Sequence, residues 1–239
     1  IAETPRGEDA SPWALRLGFR MLLGVPRRAV ERLVEARGRG AFRSFDDVAR
    51  RTGLTPTILG KLAEADVFQS LAMDRRSALW QALGQDKGRS ERPLLAGMDE
   101  DEAPVNLPPL SKVEQVFADY RTSGLSLKAH PVGFFRERLE RMGVVPAERL
   151  ARLPVDRYLQ VAGLVLLRQR PSTAKGITFV TLEDESGIAN LVIRQSIWDL
   201  HYTVARRSCA WIVRGKLERH DSVIHVVVNR IEDLTQTLS

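Results

Sequence analysis

A short pattern occurs twice near the start of the chain, over residues 23–36 and again over residues 52–65. Each copy has an apolar residue or Thr, then a glycine (Gly24 or Gly53), and then apolar residues three or four positions apart, which predict a helix. A glycine turn that leads into a helix N-terminus presents free backbone N–H groups, and these can bind a nucleic-acid phosphate. The repeat therefore predicts a paired helix-hairpin-helix that contacts the DNA backbone.

Polar side chains surround both glycines. Arg27 and Arg28 fall in the first turn of the helix predicted after Gly24, where cations oppose the helix dipole by about 0.3–1 kcal/mol each. A bound phosphate would reverse that cost, whereas Pro26 lacks an N–H group and so removes one donor. The alternative is a packing module that keeps the hairpin shape without touching DNA. The DNA-binding residues predicted for the hairpins are Gly24, Arg27, Arg28, Gly53 and Thr55.

Changes in periodicity and composition divide the chain into four regions. Ser44 is predicted to be the N-cap of a helix in the first region. The second region holds an acidic cluster, residues 99–102, which we interpret as a solvated tether rather than a two-metal site because it lacks a rigid frame. The regions are a tandem helix-hairpin-helix domain (1–83), an acidic, proline-containing linker (84–109), a helical connector (110–157) and a strand-rich domain (158–239).

The strand-rich region begins at Tyr158, where the apolar pattern changes from helical to alternating. It predicts five strands, with a helix over residues 195–207 between the third and the fourth. That order matches an OB-fold, a five-stranded β-barrel that binds single-stranded nucleic acid. The predicted fold class is therefore α+β, with a helical hairpin domain, a helical connector and an OB-fold barrel.

The second strand of the predicted barrel has two different faces. Phe179 and Thr181 share one face, and the other face is more uniformly apolar at its end, so Phe179 is predicted to be exposed and to stack on a base. The alternative is that Phe179 is a core residue, since a face assigned from alternation can be wrong by one register. Thr181 is also predicted to contact DNA, and Asn190 on the third strand is predicted to meet a base edge. The loop after strand one is predicted to offer Arg168, Arg170 and Lys175 to phosphates.

Bulk composition permits a nucleic-acid partner without requiring one. The 239 residues carry a net charge of +6, and the isoelectric point is near 9.9. The one cysteine, Cys209, excludes a disulfide framework and suits a reducing cytosol, and its apolar surroundings predict a buried structural thiol. The sequence has no P-loop, no nucleophile motif, no metal-ligand spacing among its histidines and no apolar run long enough to span a membrane. We therefore expect no catalytic residues and no metal site in this chain.

Two longer motifs carry a family resemblance. Residues 119–131 (DYRTSGLSLKAHP) and 161–193 (VAGLVLLRQRPSTAKGITFVTLEDESGIANLVI) resemble the error-prone, DnaE-like branch of the bacterial C-family DNA polymerases, also called the ImuC type. The order of hairpins, connector and barrel resembles the C-terminal region of that family. Separately, residues 176–190 are similar to OB-folds of class II tRNA synthetases, in which the residue at the position of Phe179 stacks on a base.

The resemblance implies a parent protein that is a DNA-directed DNA polymerase, a nucleotidyltransferase used in DNA repair and damage-induced SOS mutagenesis by translesion synthesis. It places the catalytic aspartates and their Mg²⁺ upstream of Ile1, so no cofactor is expected within this chain, which starts without Met and is predicted to be a fragment. The implied partners are DNA and an ImuB-like inactive Y-family protein that leads to the sliding clamp. The implied compartment is the cytoplasm. Residues 92–96 lack the Gln and the aromatic residue expected of a clamp-binding peptide.

Two classes of function remain open from the sequence. The first is a DNA holder, in which the hairpins bind the duplex backbone and the barrel binds the single-stranded template. The second is a protein-interaction module that docks the polymerase to its mutagenesis partners, which Pro26 and the modest charge favour. A DNA-uptake receptor is a third interpretation, but it would need an export or membrane signal.

Overall fold

The computed structural model describes residues 17–85, 107–174, 176–220 and 223–238. They fall into two compact units, residues 1–127 and residues 128–239. The described part of the first unit is helical, and that of the second is a closed five-stranded barrel with short helices. The predicted α+β class is therefore confirmed.

Polar caps determine where the helices of the first unit begin. The Ser44 side chain accepts a hydrogen bond from the Asp47 N–H, which confirms it as an N-cap. Ser111 and Glu114 form a reciprocal capping box at the last helix of the unit. The helices are α1 (Arg27–Gly38), α2 (Phe45–Thr52), α3 (Pro56–Glu64), α4 (Arg75–Gly84) and α5 (Lys112–Ser123), with 3₁₀ turns at Phe19–Met21 and Val67–Leu71.

Both copies of the sequence repeat contribute to one hydrophobic core. Apolar residues on one side of α1 and of α3 meet α2 and α4, as the spacing of the repeat requires. The Arg51 guanidinium ties the end of α1 to α2, because it donates to the carbonyl oxygens of Ala36, Gly40 and Ala41 while lying 4.6 Å from the Phe42 ring centroid. The buried residues of this core are Leu33, Phe45, Val48, Leu59, Leu62, Ala63, Phe68, Ala78 and Ala82.

The second unit is built around a barrel whose strands close in the order β1-β2-β3-β5-β4. All strand pairs are antiparallel except β3–β5, which is parallel. Helices α7 and α8 lie between β3 and β4, so the predicted OB-fold order is confirmed. The elements are α6 (Arg136–Arg141), β1 (Tyr158–Gln169), β2 (Thr178–Asp184), β3 (Gly187–Ile193), α7 (Gln195–Leu200), α8 (Tyr202–Arg207), β4 (Ala210–His220), β5 (Val223–Asp233) and α9 (Leu234–Leu238), with 3₁₀ turns at Pro131–Phe135, Ala147–Arg152 and Ser172–Ala174.

The segment predicted as a separate helical connector, residues 110–157, is divided between the two units. Arg75 on α4 holds α5 in the first unit, because its guanidinium donates to the Gln115 carbonyl oxygen at 3.0 Å and pairs with Asp119. The segment around α6 instead packs on the outside of the barrel. That second contact buries Val132, Leu139, Val144, Ala162, Ala210, Ile212 and Leu234. Of the predicted linker, residues 86–106 lie outside the described residues, and with them the acidic cluster 99–102 and residues 92–96.

Two glycines allow neighbouring barrel strands to come close together. A Cβ at Gly163 on β1 would lie 2.5 Å from the Glu183 carbonyl oxygen, and a Cβ at Gly215 on β4 would lie 2.5 Å from the Val227 carbonyl oxygen. Each close approach lies near a β-bulge, where the strand register shifts and the barrel bends. The barrel therefore requires glycine at these positions for closure.

We predict that Gly163→Ala lowers the free energy of unfolding of the second unit by about 1–3 kcal/mol, because backbone must move to admit the methyl group. Urea unfolding measures the change. The control is Gly133→Ala in the same unit, whose Cβ would meet only Glu185 at 3.4 Å, an ordinary contact. Equal losses in the two variants would show that the close approach at Gly163 does not matter.

Candidate nucleic-acid interface

The first hairpin has the backbone geometry of an anion site. Gly24 lies in the left-handed region with φ +72, a conformation that other residues rarely adopt. Helix α1 begins at Arg27, and its N-cap, Pro26, offers no capping side chain. The first N–H groups of α1 have no intrahelical acceptor, as at any helix start. The Arg27 side chain is 92% exposed and pairs with Glu31 at 2.8 Å, and Arg28 is exposed.

The second hairpin repeats this geometry. Gly53 also has a positive φ, +58, and forms the C-cap of α2. Thr55 is the N-cap of α3, and Pro56 follows in the first helical turn. The Thr55 side chain does not cap the helix, and the residue is exposed. All five predicted hairpin residues therefore lie at the two turns, on exposed backbone or at helix starts.

A reciprocal pair of cations joins the two turns, and the sequence analysis missed it. Lys61 Nζ on α3 donates to the Gly24 carbonyl oxygen at 2.9 Å. Arg32 Nη1 on α1 donates to the Gly53 carbonyl oxygen at 3.4 Å. Arg32 and Lys61 occupy equivalent positions of the repeat, so each copy sends a cation to the glycine turn of the other. The sequence signal was a basic residue at the same position of both copies.

The outer face of the barrel carries the predicted stacking residue. Thr178, Val180 and Leu182 on β2 are buried, whereas Phe179 between them is 41% exposed. The exposed location predicted for Phe179 is therefore confirmed, because the β2 side chains alternate between the barrel interior and solvent.

Polar and apolar side chains of two neighbouring strands surround Phe179. Thr181 lies directly opposite Asn190 of β3, and Asn190 is exposed. Leu167 of β1 lies opposite Thr181 and is 46% exposed, and Gln169 lies opposite Phe179. These five residues, Phe179, Thr181, Asn190, Leu167 and Gln169, form one surface, which we call the platform. It combines an aromatic ring with amide and hydroxyl groups, as base stacking and base-edge contact require.

The placement of Arg168 in the phosphate-binding loop was wrong. Arg168 lies within β1, where its guanidinium donates to the carbonyl oxygens of Ala205 (3.0 Å) and Ser208 and lies 5.1 Å from the Trp211 ring centroid. A register shift between Val165 and Leu167 changes the alternation of β1, so Arg168 pairs with the buried Val180 and its guanidinium lies against Trp211, although the residue as a whole remains exposed. Burial lowers the pKa of this guanidinium from its ordinary value. The Arg168 guanidinium thus links β1 to the end of α8 and the start of the segment that leads into β4.

The remaining loop predictions have different outcomes. Arg170 lies just after β1 and is exposed, and its Nη2 donates to Gln195 Oε1. Lys175 lies outside the described residues. Of the two basic residues in this loop, Arg170 is the one that the structure describes, and it lies beside the platform strands.

Cys209 is exposed, which corrects the prediction of a buried thiol. The neighbouring Ser208 turns inward instead, because its hydroxyl donates to the Ala210 carbonyl oxygen at 2.8 Å. Trp211, two residues after Cys209, is fully buried.

Within the described ranges, no group of three or more His, Cys, Asp or Glu residues is arranged to hold a metal ion. None of the described helices is both long and apolar enough to cross a lipid bilayer.

Comparison with known families supports both halves of the architecture. A helix-hairpin-helix motif model matches residues 4–78, and a model of an OB-fold nucleic acid binding domain matches residues 159–234. Among solved structures, asparaginyl-tRNA synthetase from Pyrococcus horikoshii aligns with 38% of this chain and 23% of its own, at 17% identity and a TM-score of 0.33. That score is too low to indicate a shared overall structure.

Curated relatives match almost the whole chain. An error-prone DNA polymerase of Rhodopirellula baltica is 47% identical over 227 residues, 94% of this chain and 20% of the relative. One of Caulobacter vibrioides is 46% identical over 230 residues, and error-prone DNA polymerase 1 of Rhizobium meliloti is 43% identical over 231 residues. The predicted resemblance is confirmed, and the chain spans about one fifth of the length of these relatives.

We predict that Lys61→Met weakens duplex DNA binding and makes its salt dependence shallower by about 0.9 in log K against log salt, the value for one lost phosphate contact. The reason is that Nζ lies at the first turn, beside the free N–H groups of α1. Fluorescence anisotropy over a salt series measures this. Lys112→Met, which removes an exposed lysine at the start of α5, is the matched control. The same change of slope in both variants would indicate a general charge effect and contradict a specific role.

We predict that Arg168→Ala destabilises the second unit by about 1.5–3 kcal/mol, because two carbonyl oxygens lose a charged donor. Arg170→Ala, a change in the exposed loop, should cost within about 0.5 kcal/mol. Thermal unfolding of both variants tests the contrast. If Arg168→Ala kept full stability but bound single-stranded DNA less tightly, the role of Arg168 would be DNA contact, as predicted, and not support of the fold.

Proposed function

We propose that this chain, a homologue of about one fifth of an error-prone DNA polymerase, is a DNA-holding part of such an enzyme. In this proposal the parent protein is a DNA-directed DNA polymerase of the cytoplasm that copies damaged templates in SOS mutagenesis. Its catalytic aspartates and Mg²⁺ lie in the part of the protein outside this chain. This chain positions DNA and does no chemistry itself.

The observation that carries the proposal is the exposed Phe179 at the centre of the platform. The ring of Phe179 is 41% exposed, whereas its neighbours on β2, Thr178 and Val180, are buried in the barrel. Stacking of a base on such a ring contributes about 1–3 kcal/mol and tolerates any sequence. The Thr181–Asn190 pair lies next to the ring and offers hydrogen bonds to a base edge. We propose that the platform binds the single-stranded template.

The hairpins supply the proposed contact with duplex DNA. Each has a glycine turn in the left-handed conformation and a cation from the other copy at that turn, Lys61 at the first and Arg32 at the second. The cation at the first turn offsets the donor that Pro26 removes. Phosphate contacts of this kind carry little sequence information, which suits an enzyme that must accept any template.

A second candidate function is docking of mutagenesis partners. We propose an ImuB-like inactive Y-family protein, and through it the sliding clamp, as the partner of this chain. The observation that favours docking is the exposure of two aliphatic side chains on barrel strands outside the platform, Leu166 (51%) and Ile188 (55%). Exposed apolar side chains are a common feature of protein–protein interfaces. Docking and DNA binding are compatible if they use different surfaces.

We predict that Phe179→Ala weakens binding of single-stranded DNA by about 5- to 150-fold, the equivalent of about 1–3 kcal/mol, and leaves duplex binding unchanged. Fluorescence anisotropy of the full chain with labelled single-stranded and duplex DNA measures both affinities. Phe117→Ala is the matched control, because Phe117 on α5 in the first unit is similarly exposed at 46%. It should change neither affinity.

Binding should also weaken steeply with salt, because phosphate contacts release counterions. Absence of DNA binding at low salt would contradict the proposal. If the chain then captured the ImuB-like partner at high salt, docking would be its function instead.

A further inference from the structure

Two arginines lie directly opposite each other on the outside of the barrel, away from the platform. Arg214 of β4 pairs in register with Arg230 of β5, and both are exposed. Gln160 of β1 lies opposite Arg214 on its other side. We call the three residues, Gln160, Arg214 and Arg230, the arginine row. Like charges directly opposite each other on two strands destabilise a sheet, so this arrangement needs an explanation.

A β-bulge creates the row. The register shifts between Arg214 and Gly215, which pair with Arg230 and Val228, so Asn229 is the extra residue on β5. Without that insertion Arg230 would alternate to the barrel interior, and the row would not form. Bulges commonly re-aim a side chain near a functional site.

The charges around the row leave one arginine unmatched. Arg230 Nε pairs with Glu232 Oε1 at 2.6 Å. Within the described part of the chain, the Arg214 guanidinium makes no hydrogen bond and no ion pair. The side chains line a shallow depression formed by Gln160, Ile212, Arg214, Arg230 and Glu232. The depression therefore presents five N–H donors of Arg214 and the amide of Gln160 to a ligand from solvent.

We propose that the arginine row binds a phosphodiester of single-stranded DNA that extends beyond the platform. This inference rests on the proposed function, because it supplies a second contact for the same strand. A planar guanidinium binds a phosphate through two parallel hydrogen bonds, and the bound anion removes the repulsion between the two arginines. An acidic peptide would offer carboxylates to the same donors. A DNA strand is favoured because the barrel matches an OB-fold nucleic acid binding domain and because the platform lies on the same barrel.

The platform and the arginine row both include a residue of β1, and the distance between them determines which DNA lengths can reach both. Gln160 and Leu167 both lie on β1, and at about 3.3 Å per residue they are about 23 Å apart. The segment around α6 covers Ala162 of β1 between the two sites, so DNA that reaches both must pass around this segment. A short oligonucleotide can therefore occupy the platform alone, whereas a longer one can reach both sites. OB-fold barrels bind about 4–16 nucleotides. Oligonucleotides of about 4 and about 16 nucleotides should therefore separate binding at the platform alone from binding at both sites.

The experiment compares the full chain with the double variant Arg214→Ala/Arg230→Ala, using labelled oligonucleotides of about 4 and about 16 nucleotides. We expect the double variant to bind the longer strand about tenfold more weakly at low salt, with a salt slope shallower by about 0.7–1.4, the value for one or two phosphates. Its affinity for the shorter strand should be unchanged. The charge-matched control is Arg149→Ala/Arg152→Ala, two exposed arginines elsewhere in the unit.

Thermal unfolding at low salt is the second measurement. The double variant should not melt at a clearly lower temperature than the wild type, because removal of the repulsion between two opposed cations offsets the loss of the exposed Arg230–Glu232 pair. A clearly lower melting temperature would show that the arginines stabilise the barrel, and would overturn the proposal.

The outcomes separate this inference from the proposed function. Unchanged binding of the longer strand by the double variant, while Phe179→Ala still weakens both lengths, would overturn the arginine row and leave the platform intact. Absence of DNA binding by the wild type would overturn both. Binding of poly-glutamate by the wild type but not by the double variant, without DNA binding, would assign the row to acidic peptides instead.

Discussion

In a closed barrel of five strands, each side chain of β2 faces either the packed interior or the outer surface. The platform depends on that constraint. The interior is filled by large apolar side chains, among them Val180 and Leu182 of β2 and Leu191 of β3. Trp211 occupies the interior with no exposed surface. A slip of one residue in the β2–β3 register would exchange the two faces of β2 and place Phe179 in that core. The packing of the interior therefore fixes the exposure of Phe179.

The hairpin unit depends on a different constraint, the internal repeat. Two equivalent copies share one core, so equivalent side chains occupy related positions. Arg32 and Lys61 each reach the glycine carbonyl of the other copy. These contacts join the two turns, and they bring positive charge to the place where helix starts already offer N–H groups. The same two side chains that join the turns are therefore the ones we propose to help hold a phosphate.

Much of the fold followed from the sequence, because it depends on local patterns. The alternation around Phe179, the order of strands and helices in the barrel, and the Ser44 cap are all encoded by neighbouring residues. The misplaced features depend on distant ones. Arg168 was assigned to a loop because a β-bulge, which changes the alternation of β1, leaves no mark in the local pattern.

Two other features were not predicted from the sequence, one because of a local hydrogen bond and one because of a distant contact. Cys209 is exposed because Ser208 takes the inward position through a hydrogen bond to Ala210. The helical connector is divided because α5 is held by Arg75, far away in the sequence. Within the candidate site, the sequence predicted the two glycine turns and the exposed ring of Phe179. It did not predict that Arg32 and Lys61 cross between the hairpins.

The central claim is that the outer face of β2 and β3 holds a single strand, and the most direct measurement is the change in backbone amide NMR shifts when single-stranded DNA is added. The account predicts that the changes concentrate at Phe179, Thr181 and Asn190, while amides of the buried interior, such as that of Leu217, stay in place. Changes that spare these three residues and appear on another surface of the barrel, at saturating DNA, would contradict it.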